Sequence, residues 1–404
     1  MRIYIVYLLN TLSTSSNTAN RIFLALFAVK LGASPLMVGM LGAMFSVVPS
    51  LLAVKIGRLH DRFGSRQLFL IATVVGGLSM LLPWWWPSIS IILIAALLCG
   101  FSAVFFNVCT QNLTGLLSTP DTRTRYFSNY SLSNSMAFFL GPLIAGFSIE
   151  YLSSAHTCLV LAGFAAVPFL VLAWRRKPLE PSHAASRQRG KSGEKSEGKS
   201  AGRKVGATVG SDGDGAWALL RNPAVRTTLY TGSLLNAVFG LNQIYMPVFL
   251  DSLGIAASTI GIIVSMYATA AFVVRLVLPG IIHRWTEARV LMACFFMSAA
   301  SLALMPFFPS VWVLALLSFV MGLGMGMGVP IANMQMYANS PQGRSGEALG
   351  LKMTTNNFTK IISPLVFGAV ASAFGLGPLF WLNALMLATG GVLSRPREAA
   401  PRVP

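Results

Sequence analysis

The chain has 404 residues, of which 54% are hydrophobic and only 10% charged, with a mean hydropathy of +0.67. Soluble domains carry about a quarter charged residues, so this composition excludes an ordinary soluble domain and puts the chain in a bilayer. A formal net charge of +18 would suit nucleic acid, but no basic patch interleaved with aromatics stands on a soluble segment, so that partner is excluded as well.

A spanning helix needs about 20 mostly apolar residues. By that measure the sequence predicts twelve spans, at residues 3–31, 35–56, 67–86, 88–118, 126–151, 155–174, 224–250, 256–282, 289–308, 309–338, 346–374 and 376–394. Basic residues gather in the even-numbered connections: Arg58, Arg62 and Arg66, then Arg123 and Arg125, the 175–226 segment, Arg284 and Arg289, and Arg344. The odd-numbered connections hold almost none, with Lys30 at the edge of the first. The positive-inside rule then places both termini in the cytoplasm.

Between the second and third spans lies Gly57-Arg58-Leu59-His60-Asp61-Arg62-Phe63-Gly64-Ser65-Arg66. Gly57 lets a helix end pack closely, Asp61 is an anion among arginines, and Gly64 permits a tight turn. The run resembles the G-x-L-x-D-R-x-G-R-[KR] signature of transporters of the major facilitator superfamily, which joins their second and third helices. The resemblance covers the whole chain. It implies twelve helices in two six-helix halves, alternating access, and a cytoplasmic gate latched by Asp61 with Arg62 and Arg66. In the fifth span, Ala137 to Gly146 is similar to the family's G-x-x-x-G-P-x-x-G-G element, associated there with antiporters. It keeps Gly141 and Pro142 and has alanine at Ala137 and Ala145. Gly141 and Pro142 would let that helix bend or pack closely. The arginine that many proton-coupled members carry in the fourth span is missing from Leu98 to Ala103, and the second-half loop has decayed to Gly280-Ile281-Ile282-His283-Arg284-Trp285, without the acid.

From 175 to 204 there are ten Lys or Arg against three Glu, in a tract rich in Ser and Gly. Such a segment cannot bury a core and reads as a disordered cytoplasmic linker. On either side of it the sequence repeats. An offset of 222 residues aligns Asn20 with Asn242, Gly32 with Gly254, Gly39 with Gly261, Gly100 with Gly322, Asn134 with Asn356, Pro142 with Pro364 and Gly146 with Gly368. Two halves in the same orientation predict a central cavity that opens alternately.

An ionisable residue within a span is expensive and therefore a functional candidate. Arg21 lies past the middle of the first span and Lys360 near the middle of the eleventh, whereas Lys55 and Arg275 are close enough to the cytoplasmic side to snorkel. All twelve acids fall at helix ends, in loops or in the linker. Two deep cations without a carboxylate point to an anionic substrate; water would also serve Arg21, and backbone carbonyls near Pro364 would serve Lys360. Polar side chains recur at helical spacing: Asn10, Thr14, Asn17 and Arg21; Asn107, Gln111 and Thr114; Ser233, Asn236, Gly240 and Gln243; Asn333 and Tyr337; Asn356, Lys360 and Ser363. In the superfamily helices 1, 4, 7 and 10 line the cavity, so the resemblance implies that these stripes face the transport path. Interhelical bonding is the structural alternative for each of them, at about 0.6–2 kcal/mol per bond.

The four cysteines fall in apolar segments without C-x-x-C spacing, and Gly322 to Gly328 has no strand before it, so it reads as close helix packing. Trp84 to Trp86 reads as an outer-interface anchor. The expectation is an all-α membrane protein of two parallel six-helix repeats: a bundle at 1–174, a linker at 175–223, a second bundle at 224–394 and a tail at 395–404. It would be a non-enzymatic secondary transporter of the bacterial inner membrane, monomeric, needing no cofactor or metal. Its cargo would be a small organic anion, with the proton as a candidate coupling ion and drug efflux as the rival reading. A receptor or scaffold that kept the fold and lost transport is the rival from another class.

Overall fold

The computed structural model describes residues 2–119, 122–174, 221–340 and 345–395. The expected linker lies almost wholly outside them, and so does the tail from residue 396. Among the described residues every regular element is helical. The helices are α1 (Arg2–Lys30), α2 and α3 (35–63 and 65–85, one run broken at Gly64), α4 (Ile89–Leu117), α5 (Arg123–Tyr151), α6 (Ser154–Trp174), α7 (Pro223–Ser252), α8 (Ala257–Arg284), α9 (Glu287–Leu304), α10 (Val311–Asn339), α11 (Ser345–Phe374) and α12 (Leu376–Leu393). Eleven of the twelve are long and apolar enough to cross a membrane. α1 has the length but falls short in apolarity, because its middle carries Asn10, Thr11, Ser13, Thr14, Ser15, Ser16, Asn17, Thr18, Asn20 and Arg21. Most of these are buried against neighbouring helices, so the polar belt faces protein.

The α2–α3 connection is the tight turn expected at Gly64. The helix runs on to residue 63, beyond the expected span end at 56, and is interrupted at Gly64 alone, at φ +77° and ψ +163°. That left-handed conformation is open to glycine at no steric cost. Gly32 and Gly254, at the ends of α1 and α7, share another one, with φ +80° and +75°.

These two turns are related by the 222-residue offset, and so are the contacts that join the halves. α2 packs on α11 and α5 packs on α8. A Cβ on Gly39 would collide with the Pro364 carbonyl oxygen, and one on Gly261 would lie 2.5 Å from the Pro142 carbonyl oxygen. A Cβ on Gly146 would lie 2.5 Å from the Ala257 carbonyl oxygen, and one on Gly368 would lie 2.9 Å from that of Pro35. The capping bonds repeat as well: the Leu36 N–H donates to Ser372 Oγ at 2.9 Å, and the Ser258 N–H donates to Glu150 Oε2 at 2.8 Å. Within the halves, a Cβ on Gly100 would lie 2.5 Å from the Phe45 carbonyl oxygen, and one on Gly322 would collide with that of Tyr267. Lipid tails are as apolar as leucine, so helix association in a membrane rests on such close approaches of backbone.

Both seams lie at one end of the bundle, where α2 and α8 begin and α5 and α11 end. Substituting Gly261→Val is expected to lower the melting temperature of the purified protein, at a cost of about 1–3 kcal/mol from overpacking. Gly163→Ala, whose new Cβ would meet nothing within 4 Å, is expected to leave it unchanged or slightly raised.

Candidate functional site

The two cations stand on different halves, Arg21 on α1 and Lys360 on α11. Arg21 is half-buried on α1 with its guanidinium 4.5 Å from the centre of the Phe45 ring on α2, and Lys360 on α11 is close enough to feel its charge. Cation–π contact offsets part of the cost of holding Arg21 away from bulk water. Lys360 is exposed and makes no hydrogen bond among the described residues; its amine does not reach the carbonyls near Pro364. The Pro364 carbonyl accepts instead from the Tyr245 hydroxyl at 2.8 Å, and the same hydroxyl lies 3.3 Å from the Pro35 carbonyl oxygen. Among the described residues no carboxylate pairs with Arg21 or Lys360.

The amide oxygens of Asn17 on α1, Gln243 on α7 and Asn356 on α11 are buried without a hydrogen-bond partner among the described residues, and Asn17 lines a small void inside the first half with Asn20, Thr73, Cys99 and Ser102. Buried polar atoms are normally paired, so unpaired ones on three helices are candidates for a ligand. Asn107 and Gln111 on α4 are exposed and bonded to each other, and Gln111 reaches the Tyr130 hydroxyl at 3.4 Å. Asn236 bonds back to its own helix at the Gly232 carbonyl, 2.9 Å away, which is the structural alternative realised. Asn333 on α10 accepts from Lys352 at 2.7 Å.

Lys352 is the residue that sequence reasoning missed. It is 3% exposed, and its amine also donates to the Ala332 carbonyl at 2.8 Å. Its place near the start of α11 makes it look like a helix-end cation. The signal was available in the offset: Asn333 and Lys352 stand where Gln111 and Tyr130 stand in the first half.

The same offset exposes an asymmetry. It exchanges Arg21 with Gln243, Phe45 with Tyr267, Asn17 with Phe239 and Lys360 with Phe138. Phe138 and Phe239 meet edge to face at 5.7 Å between ring centres, and Phe239 lies 6.5 Å from Tyr267. Aromatic rings thus stand at the positions equivalent to Asn17 and Lys360, an amide stands at that of Arg21, and the Phe45 position is aromatic in both halves.

Of the gate residues, Gly57, Asp61 and Arg62 are among those whose side chains lie outside the description. Gly64 makes the α2–α3 break, and Arg66 is half-buried with its Nε unpartnered among the described residues. Gly141 is where α5 meets α1: a Cβ there would lie 2.7 Å from Thr18 Cβ and 2.9 Å from the Ser15 carbonyl oxygen. Pro142 lies in the α5–α8 seam through its carbonyl. Arg275 departs from the snorkelling expectation, since its guanidinium turns to α5 and donates to Ser135 Oγ at 3.0 Å and Ser131 Oγ at 3.4 Å.

The profile of the Major Facilitator Superfamily matches residues 3–287 and again 241–404. The chain belongs to that superfamily. It is a multi-pass membrane transporter. The tetracycline resistance protein, class B, of Escherichia coli is 22% identical over 334 residues, which is 82% of this chain and 78% of that one. The multidrug resistance protein MdtG of Serratia proteamaculans (strain 568) is 28% identical over 170 residues, 40% of each chain. Among solved structures, the nucleoside transporter NupG superposes with a TM-score of 0.76 at 16% identity, covering 98% of this chain and 100% of that one. A D-xylose–proton symporter gives 0.71 at 12% identity over 98% of each. At these identities the solved structures establish the fold alone.

Lys352→Met is expected to lower the melting temperature more than Lys360→Met. The first removes two hydrogen bonds at about 1 kcal/mol each, and the second removes none made to the described residues.

Proposed function

We propose that the chain is a secondary transporter that moves a small organic anion with an apolar or aromatic body by alternating access. The observation that carries this reading is Arg21 and Lys360, two cations within spans to which no carboxylate is paired among the described residues. Like charges in a membrane protein repel and are costly to desolvate. An anionic group shared between them removes both costs at once. The aromatic run of Phe138, Phe239 and Tyr267 supplies a surface on which an apolar body can lie. Asn17, Gln243 and Asn356 offer amide groups to orient the cargo, and Asn107, Gln111, Asn236 and Asn333 extend the polar stripes toward the open end.

The rocking motion would pivot on the two glycine seams, with Gly141 and Pro142 setting the approach of α5. Gly57, Asp61, Gly64, Arg62 and Arg66 would form the latch at the opposite end. With the even-numbered, basic connections in the cytoplasm, the closed seams face outward and the cavity faces inward. The chain would sit in the inner membrane as a monomer, with both termini inside.

Export of drugs or other amphipathic compounds is the second reading, favoured by the tetracycline and multidrug resistance relatives. The two readings join if the exported compound carries a negative group. In thermal-shift measurements on the purified protein, aromatic carboxylates at a hundred times their dissociation constant are expected to add about 2.7 kcal/mol of apparent stability. Arg21→Gln with Lys360→Met is expected to abolish that gain. Equal stabilisation of the double variant by the same acids would overturn the cationic site, and stabilisation by cationic amphiphiles alone would favour the second reading.

A further inference from the structure

We propose a second binding site, apart from the transport path, for a small zwitterion of amino-acid type. A cavity of about 660 Å³ opens between the start of α7, the α8–α9 turn, the end of α10 and the end of α12, at the end of the bundle that carries the basic connections. Pockets that take one small molecule fall in the range of about 300–1,000 Å³. A path between the halves has walls from both, whereas every residue lining this cavity belongs to the second half and none to α11. Helical register separates the two spaces further. At about 3.6 residues per turn, Thr227 and Thr231 lie across α7 from the stripe of Ser233, Asn236 and Gly240, and Gln335 lies across α10 from Asn333. Between those faces α7 is closed on α10, where Asn339 Nδ2 donates to Thr228 Oγ1 at 3.0 Å.

The duplicated frame does not require a cavity here. At the 222-residue offset Thr228, Thr231, Gln335 and Ser394 stand where Val6, Leu9, Leu113 and Leu172 stand, and in the first half those apolar side chains are buried together in one cluster. The same place is core in one half and a chamber walled by hydroxyls and an amide in the other. A wall that has exchanged packing for hydrogen-bonding groups suits a polar occupant.

Charge selects that occupant. The lining holds one carboxylate, Glu287 in the first turn of α9, and one guanidinium, Arg395 just past the end of α12, and α9 packs along α12. Neither side chain has an ion pair or a hydrogen bond among the described residues. A cation would be drawn to Glu287 and repelled by Arg395, and an anion the reverse, whereas a molecule with one charge of each sign answers both. The guanidinium offers forked donors to a carboxylate. An ammonium finds Glu287 and hydroxyl oxygens: Thr227, Thr231 and Ser394 each donate their proton to a carbonyl of the adjoining helix, at 2.8, 3.2 and 2.8 Å, which leaves their lone pairs to accept.

The test is thermal-shift measurement on the purified full-length protein with each standard L-amino acid whose side chain is uncharged, beside the N-acetyl and the carboxamide form of any that stabilises. At least one free amino acid is expected to raise the melting temperature, and its two blocked forms, each lacking one charge, are expected not to. Glu287→Gln and Arg395→Gln should each weaken the apparent affinity about tenfold or more, the scale of a lost hydrogen bond to a charged group. The Arg21→Gln, Lys360→Met double variant should respond as the wild type does, which keeps this site readable whether or not the central anion site holds. No response to any free amino acid, an equal response to either blocked form, a response indifferent to both substitutions, or one lost in the double variant would each overturn the proposal. Should Glu287→Gln or Arg395→Gln fail to fold, Ala338→Trp, which fills the cavity from α10, serves in its place with the response abolished.

Discussion

Close approach of backbone to backbone at two places holds the molecule together, and everything else is arranged around it. At each seam a glycine of one half lies against a carbonyl at or next to a proline or helix start of the other: Gly39 on Pro364, Gly261 on Pro142, Gly146 on Ala257 and Gly368 on Pro35. At the α5–α8 seam no side chain intervenes, and at the α2–α11 seam the Tyr245 hydroxyl alone stands beside the two glycines, so dispersion contacts are dense and the separation is fixed largely by backbone. Each seam is finished by a bond from a free N–H at a helix start, one to Ser372 and one to Glu150. Tyr245 adds a hydroxyl that touches both helices of the α2–α11 seam. With the halves joined at one end, the helices diverge toward the other, and a cleft opens there between α5 and α8.

The scaffold is symmetric and its lining is not. The residues that set backbone separation repeat at the 222-residue offset, because both halves must meet in the same way. Other positions within the spans have diverged, so that Arg21 answers to Gln243 and Lys360 to Phe138. The divergence reaches the supporting shell: Asn20 donates to Cys99 at 3.6 Å, whereas its equivalent Asn242 is fully buried with both amide atoms unpartnered among the described residues.

Much of this was legible in the sequence, for reasons that differ by residue. Eleven of the spans follow from apolar length, α1 being the polar one, and the seams follow from glycines and prolines whose spacing repeats, since small residues permit such close contacts. Arg21 and Lys360 stand out because charge is rare in a span. Lys352 did not, because a cation near a helix start has a cheap explanation and its partners, Ala332 and Asn333, lie about twenty residues away. Arg275 was legible as a cation and its partner was not: snorkelling and a bond to α5 look the same along one helix, and only the packing of α8 on α5 decides between them. For Asn236 the residue and its face were legible but not its bond, since an amide on a helix can donate back to its own carbonyl, here that of Gly232.

The two lysines of α11 show how a cation in a membrane protein can be assigned to support or to ligand. Lys352 has two of its three donors occupied by oxygens of α10 and is closed off from solvent, so its charge is spent within the protein and ties α10 to α11. Lys360, eight residues on, is exposed, has no hydrogen bond among the described residues and lies in the field of Arg21. An arrangement optimised for stability alone would place a carboxylate there or remove one of the cations. Both are kept, and among the described residues no carboxylate pairs with either, so their charge is not spent within the protein as that of Lys352 is.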